Sequence, residues 1–299
     1  MITSSERKKW HECYLCGSKR SKTQYKDKRL KKCLNCSFIY FEDIPSNEEL
    51  DLVYSKYTRE EYITPESSRK IRTELEKILS SNQIRNVIDI ACGECYALDI
   101  LNSIDSKLNL FATEHASAKK NVMDKGYRFI EGEFFPITDL RFDLIIFTEA
   151  IEHINDVNLF LEHAYKILNP GGLIYMTTPN FSSLERRMMQ SQWGMVMPPE
   201  HLSYFTPKTI DFVMSKNKFR KVFSRTENIS IYRIIEFINR RPSKSNITLI
   251  KTQMSPQKIS DNLQQITESN LVTRLIKIMI NIFLNFFNLG SSMKVLYKK

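Results

Sequence analysis

No run of eighteen uncharged apolar residues occurs in the chain, so a membrane-spanning helix is not expected. The N-terminal MITSSERKKWHEC lacks the apolar core of a signal peptide, which points to a cytoplasmic protein. Acid is missing from one end: Ser269 to Lys299 holds five basic residues and no Asp or Glu. No internal repeat is visible, which argues against a stacked-repeat architecture. Cysteine is sparse, with six in all, and in a reducing compartment these are ligands or thiols rather than disulfides.

What is present is a 299-residue chain, 42% hydrophobic, long enough for one large domain and a small one. The net charge of +10 is uneven. Residues 1–40 carry eleven Lys and Arg against Glu6, Glu12 and Asp27, a local balance of +8. Basic ends suit nucleic acid, a phosphorylated substrate or an anionic membrane. A solvated face that aids solubility accounts for the same charges.

Cys13-x-x-Cys16 and Cys33-x-x-Cys36 stand sixteen residues apart, a spacing suited to a four-cysteine zinc site. Two thiolates on one tight knuckle take one edge of a tetrahedron, and the second knuckle closes it. Gly17 suits the first turn, and Ser37 follows the second pair. About forty residues cannot bury a stable core, so the metal would supply the folding energy. Four protein ligands leave no open position, hence a structural Zn2+. The aromatics Tyr25, Phe38, Tyr40 and Phe41 either interleave with the charge as a nucleic-acid surface or form the ribbon's small core.

The expected organisation is a ribbon over 1–44, a linker and helical cap over 45–82, an α/β core over 83–180, and a substrate-side region over 181–299. Tyr54, Tyr57 and Tyr62 follow the linker and either line a pocket or pack in the core. The spacing predicts a helix from Ser67 or Ser68 to about Ser80. Strands are expected at Val87–Ile90, Leu108–Thr113, Tyr127–Glu131, Phe142–Phe147 and Leu173–Thr178. A helix through Val157–Leu168 stops at Asn169-Pro170-Gly171-Gly172. Apolar strands alternating with helices argue a parallel, doubly wound sheet. Further on, Thr206-Pro207 opens a helix to about Lys216, and Phe219–Ser224 and Met293–Tyr297 read as strands. Residues 241–265 read as loop. Asn270–Leu289 reads as a helix with a polar stripe, including Asn281 and Asn285, and a broad apolar face. That face can pack as a lid or lie at a membrane interface.

VIDIACGECYAL, from Val87 to Leu98, holds a third Cys-x-x-Cys at a strand–turn–helix junction. A metal reading lacks a second Cys or His pair nearby, and a redox reading lacks a thioredoxin-like context. The segment resembles the first motif of class I S-adenosylmethionine (SAM)-dependent methyltransferases. Asp89 and Gly93 match its acid and central glycine, while Ala91 and Cys95 replace its first and third glycines. Glu114, Glu133-Phe134, FDLIIFTEAIEHI and LNPGGLIYMTTPN match later motifs in order. The resemblance implies a Rossmann-like seven-stranded α/β sheet and bound SAM. It implies Glu114 on the ribose, Glu133 near the adenine amino group, and Thr148, Glu149 and His153 facing cofactor or acceptor.

A ribbon ahead of such a domain resembles bacterial methyltransferases of sugar and surface-polysaccharide biosynthesis, which implies a nucleotide- or lipid-linked sugar as acceptor. A hydroxyl acceptor needs a base. His201, in the loop after the fifth core strand and titrating near neutrality, is the first candidate, and His153 is the second. Glu149 or Glu200 can orient either. His11, His115 and His163 are expected to be structural or on the surface. RNA methylation through the basic ribbon is one alternative, and a binding protein with a decayed SAM loop is another.

Overall fold

The computed structural model of the protein describes residues 9–46, 49–50, 65–230, 233–234, 237–238 and 271–299. Tyr54, Tyr57, Tyr62 and the loop expected over 241–265 lie outside these residues.

The ribbon is built from two knuckles and three short strands. In each knuckle an amide four residues on closes back to the first cysteine: Gly17 N to Cys13 O at 2.7 Å and Ser37 N to Cys33 O at 3.1 Å. The closing residues are left-handed, with φ of 72° at Gly17 and 66° at Ser37. Strands β1 (Ser21–Tyr25), β2 (Leu30–Cys33) and β3 (Ile39–Phe41) form an antiparallel meander. Part of the basic charge is answered locally: Lys9 and Lys31 each reach Glu42 at 3.2 Å, and Arg29 pairs with Asp43.

Helix α1 (Pro65–Ser81) leads into the main domain. There β4 (Asn86–Ile90), α2 (Tyr96–Ile104), β5 (Asn109–Thr113), α3 (Lys119–Asp124) and β6 (Arg128–Phe129) alternate. They are followed by β7 (Phe142–Thr148), α4 (Val157–Ile167) and β8 (Leu168–Pro179). Successive side chains of each strand feed opposite layers. Leu144 and Ile146 of β7 pack with Leu75, Leu98 and Leu101 of the helices on one face. Ile145 and Phe147 pack with Phe160, Leu161 and Ala164 of α4 on the other. This is why the strands read as continuous apolar runs.

Two boundaries differ from the sequence expectation. The strand expected over Tyr127–Glu131 shrinks to Arg128–Phe129, because β6, among the described residues, is an edge strand paired only with β5 and flanked by left-handed Gly126 and Gly132. Strand β8 starts at Leu168, before the Asn-Pro-Gly-Gly stop. The pairing register with β7 jumps there from Phe142↔Leu168 to Leu144↔Leu173, so the turn residues loop out within the strand.

After α5 (Leu184–Met189) and β9 (Ser203–Tyr204), α6 (Pro207–Lys216) begins on a Thr206 cap with Pro207 in its first turn. Strand β10 (Arg220–Glu227), α7 (Leu271–Phe286) and β11 (Ser292–Lys298) finish the domain. The seven-stranded sheet runs β10-β11-β8-β7-β4-β5-β6. β4 to β8 are parallel, and β11 is antiparallel to both of its neighbours. The expected Rossmann-like seven-stranded sheet is therefore present. Its order reverses between β4 and β7, which opens a crevice at the carboxyl ends of those strands.

β9 does not join that sheet. It pairs with β3, Ile39↔Tyr204 and Tyr40↔Ser203, and makes the ribbon four-stranded. Phe38, Tyr40, Cys13 and Cys33 share one core with Phe205, Ile210 and Met214. Phe38, Tyr40 and Phe41 are thus core residues and not a nucleic-acid surface.

Helix α7 turns the other way from the lid expected of it. Asn285 Oδ1 accepts from Thr226 N at 3.0 Å and Asn281 Oδ1 from Asn228 N at 3.1 Å, so the asparagines face the protein. The end of β10 needs those acceptors. Met279, Ile282, Phe283 and Phe286 are consequently exposed. No helix among the described residues is long and apolar enough to cross a membrane.

Phe38, fully buried and 5.2 Å from the ring of Phe205, tests whether the two modules fold as one. Phe38→Ala is expected to cost about 3–5 kcal/mol in urea denaturation, with a single transition. Two separate transitions would show independent modules.

Candidate active site

The expected cofactor residues fall together at the carboxyl edge of the parallel strands. Asp89, near the end of β4, is almost wholly buried. Glu114 follows β5; its Oε2 accepts from Gly93 N at 2.6 Å and its Oε1 from His115 N at 3.2 Å. Thr113 ties the turn to the next strand, its hydroxyl accepting from Ala91 N at 3.2 Å and donating to Glu133 O. Phe134 packs its ring edge-on to Phe147 at 6.3 Å. Thr148 ends β7. The bridging role of Thr113 is not visible in the sequence, because it depends on β5 and β6 being neighbours.

The turn keeps a glycine-like path without all of its glycines. Ala91 has φ 54°, Gly93 φ 55° and Cys95 φ 59°, all left-handed. For Ala91 and Cys95 that conformation costs about 1–2 kcal/mol each. The Cys95 side chain is fully buried, which offsets part of the strain, and Cys92 Sγ lies 3.5 Å from Cys95 Sγ. Their contact lowers the Cys95 thiol and raises that of Cys92.

The side on which the acceptor is expected is assembled from β7, β8 and the loop before β9. Glu149 is left-handed, φ 48°, its amide held by Thr177 O at 2.9 Å, and burial raises its carboxyl above the usual range. A short helical turn, Ile151–His153, follows. His153 is half-buried, with Nδ1 2.9 Å from Glu200 O. His201 is buried, with Nδ1 2.9 Å from Met195 O. The two rings meet edge to face at 4.8 Å and 83°. The expectation that His201 titrates near neutrality is corrected: burial lowers it to about 4. A base that weak takes a proton from a hydroxyl poorly. His11 and His115 are exposed and stand apart, and His163 Nε2 bonds Pro136 O at 3.0 Å.

Glu152 joins this group and was not among the expected residues. It is 2% exposed, and its Oε2 accepts from Thr178 Oγ1 at 2.9 Å. Burial first, then the charges of Glu149 and Glu200, raise its carboxyl well above the usual range. The signal was an acid beside His153 and three residues after Glu149, but only the turn shows that it points inward.

Four sulfurs gather in the ribbon, with Cys13–Cys36 at 3.7 Å and Cys16–Cys33 at 3.6 Å. Thiolates about 2.3 Å from a tetrahedral zinc stand about 3.8 Å apart, so the set fits the ion. The ribbon reaches the acceptor side directly. Tyr14 Oη bonds Ser203 Oγ at 2.7 Å, and Phe41 N bonds Leu202 O at 2.9 Å, next to His201.

A family model described as a methyltransferase domain matches residues 60–222, more than half of the chain, and the chain belongs to that family. The mitochondrial ubiquinone biosynthesis O-methyltransferase of Dictyostelium discoideum is 31% identical over 44% of this chain and 49% of its own length. Its counterpart from Pelagibacter ubique is 24% identical over 67% and 80%. The chain thus spans about half the length of the first of these relatives. Coclaurine N-methyltransferase, solved with N-methylheliamine and SAH, superposes with a TM-score of 0.50 at 12% identity, over 81% of this chain and 76% of that one. At that identity the likeness is one of fold.

Two substitutions test the cofactor turn. Ala91→Gly is expected to raise stability by about 0.5–1 kcal/mol in thermal denaturation, since it relieves a left-handed alanine. Glu114→Ala is expected to weaken SAM binding about 10- to 100-fold in calorimetry with the fold retained, the loss of a charged hydrogen bond. Unchanged affinity would remove Glu114 from the site.

Proposed function

We propose that this class I SAM-dependent methyltransferase moves the methyl group to a hydroxyl of a small-molecule acceptor. The observation that carries the reading is the meeting of His153 and His201, in and near the turn that follows β7, in the same domain as the Gly93–Glu114 pair after β4 and β5. SAM, when bound, supplies an activated methyl on a sulfonium. Asp89, Gly93, Cys95 and Glu114 hold its amino-acid and ribose end in this reading, Glu133 and Phe134 its adenine, and Thr148 its place at the tip of β7. The protein's work is then alignment, exclusion of water and removal of the hydroxyl proton. His153, half-buried, is the better placed of the two histidines to take it, with Glu149 orienting the acceptor.

The ribbon, with Zn2+ on Cys13, Cys16, Cys33 and Cys36, serves in this reading as a brace for the acceptor loop. O-methylation is supported by the names of the curated relatives, which belong to ubiquinone biosynthesis. A nucleotide- or lipid-linked sugar is supported by the ribbon-plus-methyltransferase order and by the basic ends. The RNA alternative loses most of its support from the ribbon aromatics, since Phe38, Tyr40 and Phe41 are buried. Peripheral membrane contact rests on the exposed apolar side of α7 alone.

The test is transfer of labelled methyl from SAM to a panel of nucleotide sugars, lipid-diphosphate sugars and phenolic quinol precursors. Methylation of sugars supports the full reading, and methylation of phenols alone moves the acceptor to the class of the relatives. Binding of SAM with transfer to nothing in the panel would favour a binding protein. His153→Ala is expected to lower kcat about 10²- to 10⁴-fold with SAM affinity retained.

A further inference from the structure

We infer that Glu152, His153 and His201 form a second metal site, one that holds a zinc-like divalent ion with an open position where the acceptor hydroxyl binds. The inference deepens the hydroxyl reading above and rests on it for the acceptor half, but it makes His153 a metal ligand in place of the base. One ligand atom from each of the three residues lies within 4.8 Å of the other two. Nitrogen and oxygen ligands about 2.1 Å from a tetrahedral ion stand about 3.4 Å apart, so a closure of about an ångström completes the set.

The outer contacts are those a metal histidine needs. A carbonyl oxygen has no proton to give, so the bonds to Glu200 O and Met195 O, each 2.9 Å, place the proton on Nδ1 of both rings. Neither Nε2 then carries a proton, and each ring's orientation is fixed from behind. Thr178 Oγ1 does the same for Glu152, fixing the carboxylate through Oε2. Glu149 and Glu200 add negative potential around a pocket in which Glu152 and His201 are 2% and 5% exposed. Two imidazoles and one carboxylate are a ligand set of open, catalytic zinc sites, in contrast to the closed four-cysteine set of the ribbon.

The chemistry follows from the open position. A hydroxyl bound there has its pKa lowered and loses its proton to water. An oxygen lone pair forms the new bond to the methyl carbon as the carbon–sulfur bond breaks, and that electron pair goes to sulfur. The products are a methyl ether, the demethylated thioether and one released proton.

Metal content tests this without reference to activity. Full-length protein equilibrated with micromolar Zn2+ and analysed by mass spectrometry is expected to hold two ions per chain. The Glu152→Ala, His201→Ala double variant is expected to hold one while binding SAM within about twofold of wild type, which shows that it is folded. If that variant does not fold, His153→Ala serves in its place. One ion in the wild type, or two in a folded variant, overturns the site. The acceptor half has its own arm: hydroxyl methylation unchanged by a chelator that removes the second ion overturns it and leaves His153 as the base. Failure of every hydroxyl acceptor sinks the hydroxyl reading, and the acceptor half with it, even when two ions are present.

Discussion

Leu202 is held from both sides, and the position of the candidate residues His153 and His201 hangs on that. Its carbonyl accepts from Phe41 of the ribbon at 2.9 Å, while its amide donates to Glu152 O at 2.8 Å, in the turn after β7. One residue thereby couples the four-cysteine module to the carboxyl edge of the main sheet. His201 precedes it, and β9, the strand that pairs with the ribbon, follows it. A segment pinned in this way has little freedom to move its histidine. The pairing spans only two residues, so its strength comes from the aromatic core beneath it, where Phe38, Tyr40 and Phe205 pack. The ribbon is in this sense part of the methyltransferase domain, and its basic charge is incidental to how it docks.

The cofactor turn shows the opposite arrangement, strain held by its surroundings. Ala91 and Cys95 take the backbone path that glycines take at no cost. What holds them there is a set of bonds from outside the turn: Thr113 O on Cys92 N at 2.9 Å, Thr113 Oγ1 on Ala91 N at 3.2 Å and Glu114 Oε2 on Gly93 N at 2.6 Å. Strand β5 thus shapes the loop that β4 begins. Replacing two glycines leaves the path intact because the path is enforced by a neighbouring strand, not by the loop's own preference.

Much of the fold was legible in local pattern. The strands at β4, β5, β7 and β11, the cap and proline that start α6, and the two cysteine knuckles follow from periodicity, capping chemistry and spacing. The candidate cofactor residues were legible through ordered motifs, each at the end of a strand. Three things were not. Glu152 looks like any acid beside a histidine until the turn buries it. His201 looks like a base until the fold buries it, which lowers its pKa. The asparagines of α7 read as a solvent stripe, yet Asn285 and Asn281 face inward and accept from the amides of Thr226 and Asn228 at the end of β10.

By itself, then, the sequence determined which segments are strands and helices, which cysteines form a set, and which acids end which strands. These are consequences of interactions between residues close in the chain. Tertiary structure decided the sheet order, the antiparallel insertion of β11, the recruitment of β9 by the ribbon, and the meeting of Glu152, His153 and His201. Those depend on contacts between residues tens to hundreds of positions apart, and on burial, which changes both what a side chain touches and whether it carries charge.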